Sequence, residues 1–312
     1  MRRIALSLGD PNGIGPEIVL KALAELAGEP RLRVTVFGAP AALVRAASST
    51  GLQDLLPTLD VRPCGELPAG ALRWGEVNAQ AGASTVAAAT AALQAARAGE
   101  FDAVVAGPHH ETAIAQAGIS FSGYPSLVAR VCGQAEGSVF MLLVGGGLRI
   151  VHATLHESVA TALARMTPEL VVAATKAGVR GCRLIGIEQP KIALFGINPH
   201  ASEGTLFGPE DAANTVPAAE RLRAEGHDIT GPAGADVLLA DRRHDLYVAM
   251  LHDQGHIPVK LLAPQAASAL SIGADVLLAS TGHGSAMDIA GTGTARPDAL
   301  LRSLRLVAGL SS

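Results

Sequence analysis

Ile4-Ala5-Leu6-Ser7-Leu8-Gly9-Asp10-Pro11-Asn12-Gly13-Ile14-Gly15-Pro16-Glu17 stands at the start of the chain and decides how the rest is read. Residues 4–8 form a short apolar run suited to a buried strand. The glycines that follow permit a tight turn close to a ligand, and the next helix start favours anions. A turn that only packs explains the same residues equally well. From Pro16 to Leu26 the pattern is helical, with proline near the first position and Gly28 just past the end. Strand, glycine-rich turn and helix are the repeating unit of an α/β protein, and the alternation continues. Residues 34–37, 102–105, 148–153, 191–196, 246–250 and 276–279 read as strands. Residues 84–98 read as an alanine-rich helix with Ser84 as N-cap and Gly99 as stop; 167–178, 212–225 and 297–307 read as further helices. This predicts a largely parallel sheet with helices on both faces. The stretch 51–82 reads as an irregular insertion.

Bulk properties narrow the function classes. The chain has 312 residues, 49% hydrophobic, with 24 Lys and Arg against 28 Asp and Glu. A net charge of −4 without a basic stripe excludes nucleic acid as the expected partner. No apolar run approaches a membrane span, and the run at 4–8 is too short for a signal-peptide core. Cys64, Cys132 and Cys182 are far apart and odd in number, which fits a reducing, cytoplasmic setting.

The histidines carry the chemistry. His109 and His110, His156, His200, His252 and His283 each follow an inferred strand. In parallel sheets ligands collect beyond the carboxyl ends of strands, so five strands deliver imidazoles to one edge. His156, His200 and His252 read as ligands of a catalytic metal with open positions. His227 and His244 read as loop residues, and His152 as a buried, satisfied strand side chain. His156-Glu157 begins like HExxH but lacks the second histidine. His252 and His256 are four apart, yet Gly255 and Pro258 argue against a helix that would align them. Gly282-His283-Gly284-Ser285-Ala286-Met287-Asp288-Ile289-Ala290-Gly291-Thr292-Gly293 is a small-residue loop able to cradle a pyrophosphate or adenosine. The chain contains neither GxGxxG nor a P-loop, so a bound dinucleotide would use a non-Rossmann architecture.

Together, GDPNGIGPEI at 9–18, the stretch ending at His156, GINPHASEGTLFGPED at 196–211, MLHDQGHIPVK at 250–260 and GHGSAMDIAGTG at 282–293 resemble the 4-hydroxythreonine-4-phosphate dehydrogenase family. The resemblance implies two α/β domains with a central cleft, as in isocitrate and isopropylmalate dehydrogenases. Approximate bounds are 1–130 plus 285–312 for cofactor contacts, and 131–284 for metal ligands and dimer contacts. It implies a homodimer with the site near the interface, and a divalent metal (zinc, iron or manganese) on His156, His200 and His252. Lys260 would be the active-site lysine and Asp253 an orienting group. NAD would lie along Gly282, His283, Gly284, Asp288 and Gly291.

The departures point to the substrate. Where the hydroxythreonine enzymes hold a phosphate, this chain has Gly123-Tyr124-Pro125-Ser126, Ala269 and Leu278. Losing an arginine fork removes a bidentate anion partner. PHHETAI at 108–114, FSGYPSL at 121–127, IVHATLHESV at 150–159, HDLYVAMLHDQGHIP at 244–258 and SALSIG at 268–273 are similar to a narrower subfamily, the terephthalate dihydrodiol dehydrogenases. That similarity implies oxidative decarboxylation of a cis-dihydrodiol dicarboxylate to protocatechuate and CO2, with His109, His110, Glu111 and Tyr124 around the second carboxylate. The alternatives are a dehydrogenase of a phosphorylated hydroxy acid and a metal-dependent lyase without NAD.

Overall fold

The computed structural model of the chain describes residues 1–135, 137–264 and 266–310. It separates into two compact units, Met1–Glu136 with Ala274–Ser312, and Gly137–Gly273. Residues 274–284, expected in the second unit, lie with the first because their strand pairs there.

In the first unit, β1 (Arg2–Ser7), β2 (Leu32–Gly38), β3 (Asp60–Pro63), β4 (Ala103–Ala106) and the returning β11 (Leu278–Thr281) lie in the order β3-β2-β1-β4-β11. Every pair is parallel. All residues of β4 and β11 are buried. Side chains alternate faces along a strand, so both faces are covered. Helix Ala79–Arg97 packs on β1, β2 and β4, and helix Asp298–Ala308 on β11, β4 and β1. The first of these begins five residues before the expected N-cap. Asn78 caps it, accepting from Ala81 N at 2.9 Å, while Ser84 is buried inside and donates to the Gly65 carbonyl.

The second unit carries β5 (Phe140–Gly145), β6 (Leu148–His152), β7 (Ile192–Phe195), β8 (Ile229–Ala233), β9 (Leu246–Ala249) and β10 (Ser268–Ile272) in the order β10-β5-β6-β9-β7-β8. It adds an exception to the largely parallel expectation: β5 runs antiparallel to both β6 and β10. Gly146 and Gly147, at φ 59° and 80°, supply the tight hairpin turn between β5 and β6. The remaining pairs, β6 with β9, β9 with β7 and β7 with β8, are parallel.

Helix Pro168–Leu184 covers one face of this sheet and helix His252–Leu262 the other. Leu142 meets the first through Gly181, while Gly145, of opposite parity, meets Val259 and Ala263 of the second. The second helix was not expected, because it contains Gly255 and Pro258. A proline in a helix interior costs about 3 kcal/mol. Tertiary contacts offset it: Val259 is fully buried in a cluster with Leu143, Ile150 and Phe195, and Gln254 reaches back to accept from Met250 N at 2.9 Å and Leu251 N at 3.1 Å. Gly255 is glycine because His152 occupies the space a Cβ would need. No helix among the described residues is long and apolar enough to cross a membrane.

Gly255→Ala is therefore expected to destabilise the protein by about 1–3 kcal/mol through overpacking, despite alanine's better helix propensity. A urea denaturation midpoint equal to or above that of the unaltered chain would contradict this packing.

Candidate active site

Three adjacent parallel strands, β6, β9 and β7, end at the same edge of the second unit's sheet, and His156, His252 and His200 follow those ends. The ends are tied side by side. The Thr154 hydroxyl donates to the Met250 carbonyl at 2.6 Å, and the Gln254 amide donates to the Gly196 carbonyl at 2.8 Å.

Four imidazoles cluster here. His156 and His252 have ring centroids 5.5 Å apart. His252 stacks on His256, one helical turn further on, at 3.7 Å and 11°. His256 Nδ1 is 3.1 Å from His152 Nε2 and 3.3 Å from the His252 carbonyl oxygen. His152, read from sequence as buried and satisfied, is 2% exposed, with Nδ1 3.4 Å from the Met141 carbonyl oxygen. Asp253 Oδ1 lies 2.7 Å from His252 Nδ1. A carboxylate there holds the proton on Nδ1 and leaves Nε2 bare, the form a metal ligand needs. A cavity of about 370 Å³ opens beside this pair, lined by Thr154, His156, Glu157, Leu251, His252 and Asp253. Lys260 is a further turn along the same helix, and its burial pushes its ammonium below the ordinary lysine value.

His200 does not join this cluster. Its ring neighbour is Phe207, at 6.2 Å. His200, Ala201, Ser202 and Glu203 are all left-handed, with φ of 54°, 52°, 66° and 42°, at about 1–2 kcal/mol per residue for L side chains. Buried Asp211 holds this turn, accepting from Ile197 N (2.8 Å), Asn198 N (3.0 Å), Ser202 Oγ (2.8 Å) and Thr215 Oγ1 (2.7 Å). Among the described residues no group of three or more His, Cys, Asp or Glu side chains is placed to hold a metal ion. The three-histidine set expected from the sequence is thus not assembled within one chain. Two imidazoles and an orienting carboxylate fit the role, and the third donor is missing.

In the first unit, His109 stands edge-on to Phe121 and Tyr124, at 4.8 and 4.9 Å, with Nε2 3.9 Å from Glu111 Oε1. His110 Nδ1 accepts from Ala113 N at 3.4 Å. Tyr124 is 3% exposed and donates to the Gly107 carbonyl at 2.7 Å. Its hydroxyl proton is therefore already used. Asp10 is fully buried, and burial pushes its carboxyl up to about 6 against the opposing pull of Asn12 N and His110.

The turn at 9–17 proves to be a packed hub. Asp10 N donates to Pro108 O, Asn12 N to Asp10 Oδ1, Gly13 N to Asp10 O and Ile14 N to Ser285 O, so these amides are not free for an anion. The turn anchors the 282–293 segment: Gly13 lies against Ser285, Trp74 fills the space a Gly291 side chain would take, and Lys21, paired with buried Glu17, donates to the carbonyls of Gly293 and Ala295. Met287–Ile289 form a single 3-10 turn bearing Asp288, and His283 Nδ1 lies 2.9 Å from the Gly284 carbonyl oxygen. The sequence offers no signal for Gln254, Asp211 or Glu17, and it sets His256 aside because Gly255 and Pro258 argue against a helix. The helix forms all the same, and the spacing of His252, His256 and Lys260 by four does align them.

Burial and neighbouring imidazoles depress His152 to about 3 and His256 to about 4. The unfolded chain therefore takes up these protons first. The stability they contribute is complete above the ordinary histidine value near 6.5 and is lost as pH falls from there toward 3. His152→Phe should flatten this acid limb in metal-free protein, as read by thermal melts between pH 7 and about 4. An unchanged limb would show that the acid sensitivity lies elsewhere.

The family model described as pyridoxal phosphate biosynthetic protein PdxA matches residues 15–307. A 1,2-dihydroxy-3,5-cyclohexadiene-1,4-dicarboxylate dehydrogenase from Comamonas sp is 59% identical over 306 residues, covering 98% of this chain and 97% of its own length. The crystal structure of a terephthalate 1,2-cis-dihydrodiol dehydrogenase from Burkholderia xenovorans LB400 is 50% identical, covers 99% of this chain and 98% of its own, and superposes with a TM-score of 0.73. A 4-hydroxythreonine-4-phosphate dehydrogenase from Burkholderia phymatum is 33% identical with a TM-score of 0.82, covering 99% and 98%. Isocitrate dehydrogenase from Methylococcus capsulatus, 17% identical with a TM-score of 0.52 over 98% of this chain and 85% of its own, shares the fold, which is not the Rossmann type. This chain belongs to the pyridoxal phosphate biosynthetic protein PdxA family, and is an enzyme of the dehydrogenase kind.

Proposed function

We propose that the chain is an NAD-linked, divalent-metal-dependent dehydrogenase that converts the cis-dihydrodiol of terephthalate to protocatechuate and CO2. The observation that carries the metal part is the His156–His252 pair, oriented by Asp253 beside a cavity at the sheet edge. The substrate part is supported by the 59% identity to the Comamonas dehydrogenase. It is supported too by the absence of cationic side chains where the family's phosphate holders fall: Tyr124, Ala269 and Leu278 are all buried and apolar or occupied.

His156, His252 and a further donor would hold a divalent cation, which would supply Lewis acidity at the alcohol and carboxylate of the substrate. NAD, when bound, would supply the hydride acceptor. Lys260 Nζ takes the hydroxyl proton; burial lowers its pKa, which favours the neutral amine that this task requires. Loss of hydride and proton leaves a β-keto acid. Its bond to the carboxylate breaks, CO2 leaves, the electron pair passes into the ring, and proton uptake completes the aromatic catechol. His109 and His110 supply donors for the second carboxylate, with Tyr124 as a wall and Glu111 as partner to His109. The segment bearing Gly282, His283, Gly284, Asp288 and Gly291 holds the dinucleotide.

The third imidazole, His200, comes from a second copy of the chain. Exposed Val159, Leu206, Phe207, Ile257 and Leu261 surround this edge and give a second copy an apolar surface to cover.

The test is NADH formation with the dihydrodiol and with hydroxythreonine 4-phosphate, each with and without chelator. Chelator-sensitive turnover of the dihydrodiol is expected, and turnover of the phosphate ester alone would defeat the assignment. Lys260→Met should lower kcat by about 10²–10⁴. His200→Ala and His252→Ala should each be inactive alone. Mixed and re-annealed in equal amounts they should recover about a quarter of the normal rate, since half the dimers carry one complete site of two. No recovery would place all three ligands in one chain or remove His200 from the set.

A further inference from the structure

His152 and His256 are the members of the imidazole cluster that the proposed chemistry leaves without a task, and the hydrogen bonds of His256 determine which nitrogen it presents. A carbonyl oxygen only accepts. The His252 carbonyl, 3.3 Å from His256 Nδ1, therefore requires the proton on Nδ1. The same logic works from the far end. The Met141 carbonyl places the His152 proton on Nδ1, so His152 Nε2 is an acceptor, and it faces His256 Nδ1 at 3.1 Å. Two independent acceptors thus demand one tautomer of His256, with Nδ1 protonated and Nε2 carrying a lone pair. This reverses the preference of imidazole in water for the Nε2–H form. Nε2 lies across the ring from the inward-turned Nδ1 and has no hydrogen-bond partner among the described residues. The ring itself is clamped by the stack on His252. His252, His256 and Lys260 recur every four residues, so the bare nitrogen lies on the helical stripe that carries a proposed metal ligand and the proposed base.

We propose that His256 Nε2 accepts a hydrogen bond from the substrate hydroxyl that is not oxidised, the one on the carbon bearing the departing carboxylate, and so selects a diol over a simple hydroxy acid. The assignment rests on the dihydrodiol reading above. A rigid acceptor of fixed polarity recognises an O–H group and disfavours a C–H in its place, because a lone pair covered by the bound substrate would then go unpaired.

Two measurements test it. Long-range ¹H–¹⁵N correlation spectra of the histidines are expected to show His256 with a protonated Nδ1 and an unprotonated Nε2; the opposite tautomer overturns the proposal whatever the substrate. Steady-state kinetics of His256→Leu should show KM for the dihydrodiol raised about five- to tenfold, with kcat and bound metal nearly unchanged. His256→Gln, whose amide oxygen reaches the position of Nε2, should restore most of the loss. An analogue lacking that hydroxyl should be handled equally by the unaltered enzyme and by His256→Leu. An unchanged KM, or loss of metal from His256→Leu, would overturn the proposal, the latter by making His256 a ligand. If the unaltered enzyme fails to turn over the dihydrodiol at all, the substrate reading falls and the hydroxyl contact falls with it, while the spectra still report the tautomer separately.

Discussion

One side chain holds the edge of the second unit together. Gln254 accepts from the amides of Met250 and Leu251 at the end of β9 and donates to the Gly196 carbonyl at the end of β7. A primary amide does this because it presents acceptor and donor on one rigid plane. It caps the first turn of the His252–Leu262 helix and fixes the neighbouring strand end at once. The helix that bears His252, His256 and Lys260 therefore leaves the sheet at a set place and angle. Each further contact of the site depends on that exit.

A second constraint is steric. His152 rises from β6 into a gap in the same helix that exists only because residue 255 is glycine. The buried imidazole then meets His256, which stacks on His252, whose Nδ1 faces Asp253. Buried polar groups are costly unless paired. Here each ring pairs with the next, ending at the backbone carbonyl of Met141. The order of donors and acceptors follows without choice, because the chain ends on groups that only accept.

The His200 segment is built on the opposite plan. Four successive left-handed residues store backbone strain, and a buried carboxylate with four donors holds them in place. Strain of this kind persists only where the surroundings over-determine it. The loop sets the His200 ring beside Phe207, outside the cluster formed by the other imidazoles.

Much of this was legible in the residues themselves. The α/β class followed from alternating apolar runs and glycine-bounded helices, which are local properties of sequence. The placement of histidines just past strands was equally local, and His156 and His252 do meet. What sequence could not supply came from distant contacts. Gly255 and Pro258 argue correctly against a helix in isolation, yet Val259 burial and the Gln254 cap outweigh them, and only the fold brings those groups together. The antiparallel turn of β5 rests on two glycines whose meaning depends on which strands lie beside them. The turn that carries His200 depends on Asp211, eleven residues away, whose carboxylate accepts from Ile197 N, Asn198 N and Ser202 Oγ. Local propensity and pattern determined the elements and their chemistry; the direction each side chain finally faces was decided by long-range packing, whose energy no single stretch of chain contains.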